Sequence, residues 1–274
     1  MLETMAGPRS KEQQLRAFYR VLAEAWGPQH WWPARTRLEM IAGAYLTQNT
    51  AWSNVERALA NLRRARLLTV DALRRVSLPE LEQLIRPAGY FRQKARRLKT
   101  FLAFLDAHYH GSLRRMLAQP TAQLRQELLA LNGVGPETAD SILLYAGNHS
   151  IFVVDAYTRR ILHRHGILPA TAEYDEIRTL CERALRTLHS RRPQERRETK
   201  RKTASAPQHA ERETRRGLRG AAHPPSAMST AERSPLAQTY NEMHALLVGV
   251  GKNYCLKAAA KCAACPLQGL LGQL

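Results

Sequence analysis

Apolar side chains recur three and four residues apart over almost the whole chain, and this spacing constrains the fold more than any other feature. Leu15, Phe18, Tyr19 and Leu22 share one helical face, as do Leu38, Ile41, Ala42 and Tyr45, and again Val55, Leu59 and Leu62. Similar runs cover about 78–86, 90–108, 112–118, 121–131, 136–147, 155–165, 174–189 and 235–250, and the one strand-like run is the short Ile151–Val154. Helix breakers fall between the runs. Pro28 and Pro33 flank one turn, Pro79 opens a helix, Gly89 ends it, and Gly147 closes the run before Asp155. The pattern predicts an all-α protein, and 274 residues suffice for two helical domains with a sizeable core.

The chain carries 42 Lys+Arg against 23 Asp+Glu, a net +19 with His neutral. The excess persists when the Arg-rich segment 190–234 is set aside, so the folded part is basic in its own right. Such a balance favours a polyanionic partner, nucleic acid held through its phosphates, over the alternative of a merely solubilising surface. Segment 190–234 has almost no large apolar residues and reads as a disordered basic insertion between two helices. It either adds nonspecific DNA affinity or is an inert variable loop. No apolar stretch approaches the roughly 18 residues of a membrane span, and MLETMAGPRSKEQQ lacks the apolar run of a secretory signal. We therefore expect no membrane association and a cytoplasmic, nucleoid-associated location of the bacterial type. The four Cys then argue for thiols or a metal centre and against a disulfide framework.

The most informative stretch is Leu131-Asn132-Gly133-Val134-Gly135-Pro136-Glu137-Thr138-Ala139-Asp140, between two helical runs. Gly133 and Gly135 permit a tight hairpin, Val134 can plug the core, and Pro136 suits the first position of the following helix. Backbone N–H groups from Gly133 through Val134 and Gly135 to Glu137 and Thr138 would then face outward at the positive end of a helix, where a phosphate oxygen can sit. A second signal follows at Phe152-Val153-Val154-Asp155-Ala156-Tyr157-Thr158-Arg159-Arg160. Asp155 ends an apolar run and opens an amphipathic helix, so by itself it reads as an N-cap. A carboxylate in that place can also stabilise positive charge developing on the sugar of a flipped-out nucleotide.

In LNGVGPETAD paired with VVDAYTRRIL the chain resembles the endonuclease III superfamily of DNA glycosylases, helix-hairpin-helix proteins with a Gly/Pro-rich loop and a catalytic Asp. The resemblance covers about Leu15 to Pro266 apart from the insertion, and extends to Thr47-Gln48-Asn49-Thr50 and Gly89-Tyr90-Phe91-Arg92-Gln93-Lys94-Ala95. It implies that Asp155 is the catalytic carboxylate and that Gln48 fills the gap left by the extruded base. It also implies an N-terminal helix in 1–32 that packs with the C-terminal domain, a six-helix barrel with the helix-hairpin-helix in 33–148, and a catalytic-Asp domain in 149–274. A groove between the domains would take double-stranded DNA with a damaged base, and the protein is expected to act as a monomer.

One departure bears directly on mechanism. Where bifunctional members carry a nucleophilic Lys, this chain has Glu137, and a carboxylate cannot form a Schiff base with the sugar. The resemblance thus implies a monofunctional glycosylase that uses water, unless Lys94 or Lys99 substitutes. Trp31-Trp32-Pro33 resembles the 3-methyladenine glycosylase branch, which implies a base pocket of Trp31, Trp32, Pro33, Tyr45, Gln48 and Glu137 in which indole faces hold a cationic alkylated purine. The Trp pair could instead pack between domains, and Tyr45 could be core. Cys255, Cys262 and Cys265 match three ligands of the family's [4Fe-4S] loop, while the fourth position is Leu271. A cluster with a non-Cys ligand and a decayed loop both remain open, and Cys181 reads as a buried, inert thiol. Two other functions stay in view: a bifunctional glycosylase and abasic-site lyase for oxidised pyrimidines, and a noncatalytic DNA-binding relative.

Overall fold

A computed structural model describes residues 9–188 and 220–272. The described chain is helical and holds no strand, in keeping with the all-α expectation. In order the helices are α1 (Lys11–Trp26), α2 (Arg37–Thr47), α3 (Trp52–Arg64), α4 (Val70–Arg75), α5 (Leu78–Leu84), α6 (Phe91–Tyr109), α7 (Leu113–Met116), α8 (Thr121–Leu129), α9 (Pro136–Ser141), α10 (Ala156–Arg164), α11 (Tyr174–Arg186) and α12 (Pro235–Asn253). Their starts are written locally. Side-chain oxygens of Ser10, Thr36, Thr69, Ser77, Ser112, Asp155 and Ser234 each accept a first-turn backbone N–H, the groups a helix leaves without internal partners. Helix α4 has no counterpart among the apolar runs, because six residues are too few to display a period; its signature is the Thr69 cap. Helix α9 continues through Ile142–Ala146 as a π-turn, so the run read as 136–147 is one rod with two hydrogen-bond registers.

The chain divides into two compact units, one of Trp32–Ile151 with Pro225–Arg233, the other of Met1–Trp31, Phe152–Pro224 and Ser234–Leu274. In the first, α2 is buried from Leu38 to Leu46 and is packed by α3, α6 and α9. In the second, α12 plays that part, buried from Tyr240 to Gly251 and packed by α10, α11 and α1, while α1 also lies on α11. The run Ile151–Val154 is extended and buried yet pairs with no strand. Its backbone donors go to side chains instead: Phe152 N–H to Glu182 Oε1 (3.0 Å) and Val154 N–H to the Tyr174 hydroxyl (3.2 Å).

Segment 190–234 departs from expectation where it is described. Residues 220–234 dock by their backbone, with His223 N–H on Gln29 O and Met228 N–H on Ala34 O, both at 3.1 Å, and Ala221, Met228 and Ser229 are buried. A segment poor in apolar residues cannot form a core of its own, but it can complete someone else's, and composition does not reveal that. The rest of the insertion lies outside the described residues. No helix of the described residues is long and apolar enough to cross a membrane.

Helices α8 and α9, which flank the hairpin, are joined by Arg125 and Asp140, with Nε to Oδ1 at 2.7 Å and Nη2 to Oδ2 at 3.2 Å. Asp140 is fully buried. Replacing it with Ala would leave the guanidinium without its carboxylate, so Asp140→Ala should lower unfolding free energy by about 3 kcal/mol in a urea titration. A midpoint unchanged from wild type would show that the pair does not hold the hairpin.

Candidate active site

The hairpin lies in the first unit. Gly133 has φ +78°, the left-handed region, and a Cβ there would collide with the Arg97 guanidinium. Gly135 has φ −91° and an exposed backbone, with nothing within 4 Å of where a Cβ would stand. Val134 is buried, as a plug should be, and Glu137 is exposed. Pro136 opens α9 with no side-chain cap at Gly135, so the first-turn amides of Glu137 and Thr138 lie at a helix start beside open space.

Gln48, one residue past the end of α2, is tied into this hairpin. Its Nε2 donates to Gly133 O and to Thr138 Oγ1, each at 2.9 Å, and Arg97 Nη1 donates to its Oε1 at 2.6 Å. The next residue, Asn49, takes φ +53°. Arg97 therefore braces both Gln48 and the Gly133 turn, a role that no local sequence signal announces. Tyr90 is also missed by pattern: it is 69% exposed and sits at φ +45° immediately before α6. A bulky side chain held exposed on a left-handed backbone is an outlier that points to function.

Lys94 and Lys99, the two amines considered as substitutes, are both engaged elsewhere. Lys94 is 1% exposed and its Nζ donates to Leu46 O and Ala88 O, each at 2.8 Å. Burial, and secondarily the charge of Arg97, lowers its pKa to about 8. Lys99 Nζ donates to three carbonyls at the end of α4, those of Leu73, Arg74 and Val76. Both lysines close helix ends inside the unit.

The Trp pair straddles the boundary between units, and each ring packs within its own. Trp32 meets Trp52 edge-on at 5.0 Å and Tyr145 at 5.4 Å between centroids, and Pro33 beside it is half-buried. Trp31 packs against His223 at 5.4 Å and His244 at 6.4 Å, with Lys252 Nζ 5.8 Å from its ring centre. Tyr45 is 1% exposed against Phe101, and burial pushes its hydroxyl pKa upward. The structure thus brings Gln48, Gly133 and Thr138 together and places Tyr45 in a core.

Asp155 lies in the second unit as the N-cap of α10, its Oδ1 accepting the Thr158 N–H at 2.7 Å. Its Oδ2 is 3.6 Å from His244 Nε2. Burial acts to raise its pKa. The neighbouring His244 imidazole and the Thr158 N–H outweigh that and hold the carboxyl below its usual value.

The C-terminal loop is held by arginines of α10. Arg160 Nε donates to Cys255 O at 2.7 Å, and Arg164 donates to Leu256 O at 2.7 Å, Lys257 O at 3.1 Å and Cys255 Sγ at 3.4 Å. A [4Fe-4S] cluster takes four thiolates. Cys255 is buried, Cys262 exposed and Cys265 half-buried, and the fourth position is the 39% exposed Leu271. Among the described residues no three His, Cys, Asp or Glu side chains gather as metal ligands. Burial raises the Cys265 thiol pKa, and the neighbouring Cys255 and Cys262 add to the rise. The loop supplies three thiols and no fourth, so the ligand set of such a cluster is incomplete among the described residues. Cys181 is buried in α11, and burial raises its pKa as well, the state of an inert thiol.

The model of the HhH-GPD superfamily base excision DNA repair proteins matches residues 42–187. A protein of Methanocaldococcus jannaschii named "Putative DNA repair glycosylase MJ1434" is 47% identical over 178 residues, 64% of this chain and 80% of that protein. Endonuclease III-like protein 1 of Bos taurus is 28% identical over 234 residues, 85% of this chain and 58% of the bovine protein, so this chain spans less than two thirds of the latter. In structure, the H. pylori 3-methyladenine DNA glycosylase bound to 1,N6-ethenoadenine matches with a TM-score of 0.65 at 24% identity, covering 89% of this chain and 98% of that one. The matched segment runs through Gln48, the hairpin and Asp155, and the chain belongs to the HhH-GPD superfamily of base excision DNA repair proteins, as a DNA N-glycosylase of the endonuclease III family.

Proposed function

We propose that the chain is a monofunctional glycosylase that removes an alkylated purine such as 3-methyladenine from double-stranded DNA by hydrolysis. The observation that carries this reading is the fate of the amines: Glu137 stands at the hairpin position where a lyase needs a nucleophilic nitrogen, and Lys94 and Lys99 are engaged with backbone carbonyls. The lesion class is supported by the Trp31-Trp32-Pro33 resemblance and by a structural neighbour named as a 3-methyladenine glycosylase. The chemistry is consistent with a single carboxylate. An N-alkylated purine nucleotide is already cationic, so when the glycosidic bond breaks its electron pair leaves with a neutral base and no general acid is required. The positive charge passes to the sugar, where Asp155 as an anion stabilises it. Water then bonds to C1′ and gives up a proton, leaving an abasic site.

In this reading the amides of Gly133, Gly135, Glu137 and Thr138 hold a DNA phosphate, while the Val134 N–H closes the turn on Leu131 O at 3.0 Å. Gln48 and the exposed Tyr90 enter the space and the stacking that the extruded base vacates. Gln48 would have to release its ties to Gly133 and Thr138 to do so. The bifunctional reading for oxidised pyrimidines is favoured by the endonuclease III-like relative and opposed by Glu137.

The deciding experiment is a panel of single-lesion duplexes assayed with and without alkali. Free alkylated purine should appear with strand breaks only after alkali, and release confined to oxidised pyrimidines would overturn the lesion class. Asp155→Asn retains the α10 cap and should lose at least about a hundredfold in single-turnover excision while still binding duplex. A near-normal rate would remove Asp155 from the chemistry. Gly135→Leu meets open space, so the fold should hold while affinity for damaged and undamaged duplex falls alike. An effect on damaged DNA alone would move the hairpin from phosphate to base. Anaerobically purified protein should carry well below four irons per chain by elemental analysis, and a full complement would show that the three thiols do recruit a cluster.

A further inference from the structure

The carboxylate of Asp155 is held on two sides by groups that belong to different elements. Thr158 N–H, in its own helix, fixes Oδ1, while Oδ2 faces His244 of α12 at 3.6 Å. Both side chains are shielded, at 12% and 5% exposure. The imidazole is set by aromatic packing, with Trp31 and Phe152 each 6.4 Å away between centroids. Phe152 lies three residues before Asp155 on the same extended run, so the run that delivers the carboxylate also clamps its partner. A buried anion without a counter-charge takes up a proton, and a protonated carboxyl cannot stabilise a sugar cation.

We propose that His244 is a positioning residue for Asp155, its imidazole orienting the carboxylate and supplying the counter-charge that lets a shielded acid work as an anion. The inference rests on Asp155 being the catalytic carboxylate. Other charged or titratable groups around the pair have their own partners. On α10, Tyr157 lies under the Arg160 guanidinium. On α11, Glu182 accepts the Phe152 N–H. On α12, Lys252 sits over Trp31, and His223 packs on that same indole. Among the described residues, His244 is the one that an ion-pair distance links to Oδ2.

The direction of the pH effect follows. With His244 present the Asp155 carboxyl lies below its usual pKa, so its charge is lost only as pH falls far. Removing the imidazole leaves burial unopposed, and the acid limb of the rate profile moves to higher pH. The test is single-turnover excision from pH 5 to 9 on the panel duplex that the wild-type protein cleaves fastest. It is run for His244→Gln and His244→Asn after thermal melts have checked folding. The expected result is a loss of about thirtyfold at pH 6 but only about threefold at pH 8, with duplex Kd held within about twofold. A merely structural role would lower the rate by the same factor at every pH, and that outcome overturns the proposal. Carboxyl-13C NMR titration of Asp155, assigned with Asp155→Asn, reads the same pair without activity and should move upward in either variant, far enough that most of the carboxyl is protonated at pH 6. If Asp155→Asn is inactive and neither profile nor titration moves, His244 is packing alone and the catalytic assignment survives. If Asp155→Asn is active, the assignment and the role of His244 fail together.

Discussion

The backbone hydrogen bond from Thr158 to Asp155 is the interaction on which the proposed chemistry depends, because one carboxylate both starts a helix and serves as the candidate catalyst. A cap residue is held by the geometry of the first turn, so the acid is placed without help from DNA. The helix it starts then secures the C-terminal loop through Arg160 and Arg164, whose guanidinium groups take the loop carbonyls. That arrangement gives the loop a framework of protein hydrogen bonds.

In the other unit the organising group is a cation. Arg97 reaches Gln48 and fills the space that a side chain at position 133 would need, so turn, glutamine and helix α6 form one assembly. Lys94, one turn earlier on α6, joins the ends of α2 and the Arg86–Ala88 turn through their carbonyls. A buried lysine whose pKa is lowered to about 8 would ordinarily suggest a nucleophile. Its two carbonyl acceptors and its burial assign it to structure instead, since an amine that must attack a sugar has to reach it.

Much of this was legible in the sequence for reasons that are local. The Gly133 turn requires a residue tolerant of positive φ, Pro136 suits a helix start, and Asp155 precedes an amphipathic run, so each is written in a few adjacent residues. What was hidden depends on distant partners. His244 lies in the middle of an apolar helix and gains meaning only from Asp155. Lys94 and Lys99 enter the sequence reading only as candidate amines, and their engagement with the carbonyls of Leu46, Ala88, Leu73, Arg74 and Val76 depends on residues outside their own helix. Residues 220–234 have the composition of a disordered chain and are ordered by carbonyls of residues 29 and 34. Helix α4 is too short to show a period. The Trp pair reads as one feature, although its two rings pack in different units.

The central claim is that the sugar is attacked by water and never by an amine of the protein. Borohydride reduction during turnover tests this most directly, because it converts any imine between protein and abasic sugar into a permanent covalent adduct. Incubated with the duplex from which it releases base, the protein should give free base and an intact strand with no adduct on a denaturing gel. An adduct formed in proportion to base release, and abolished by substituting Lys94 or Lys99, would contradict the account and identify the amine that substitutes for the one absent at Glu137.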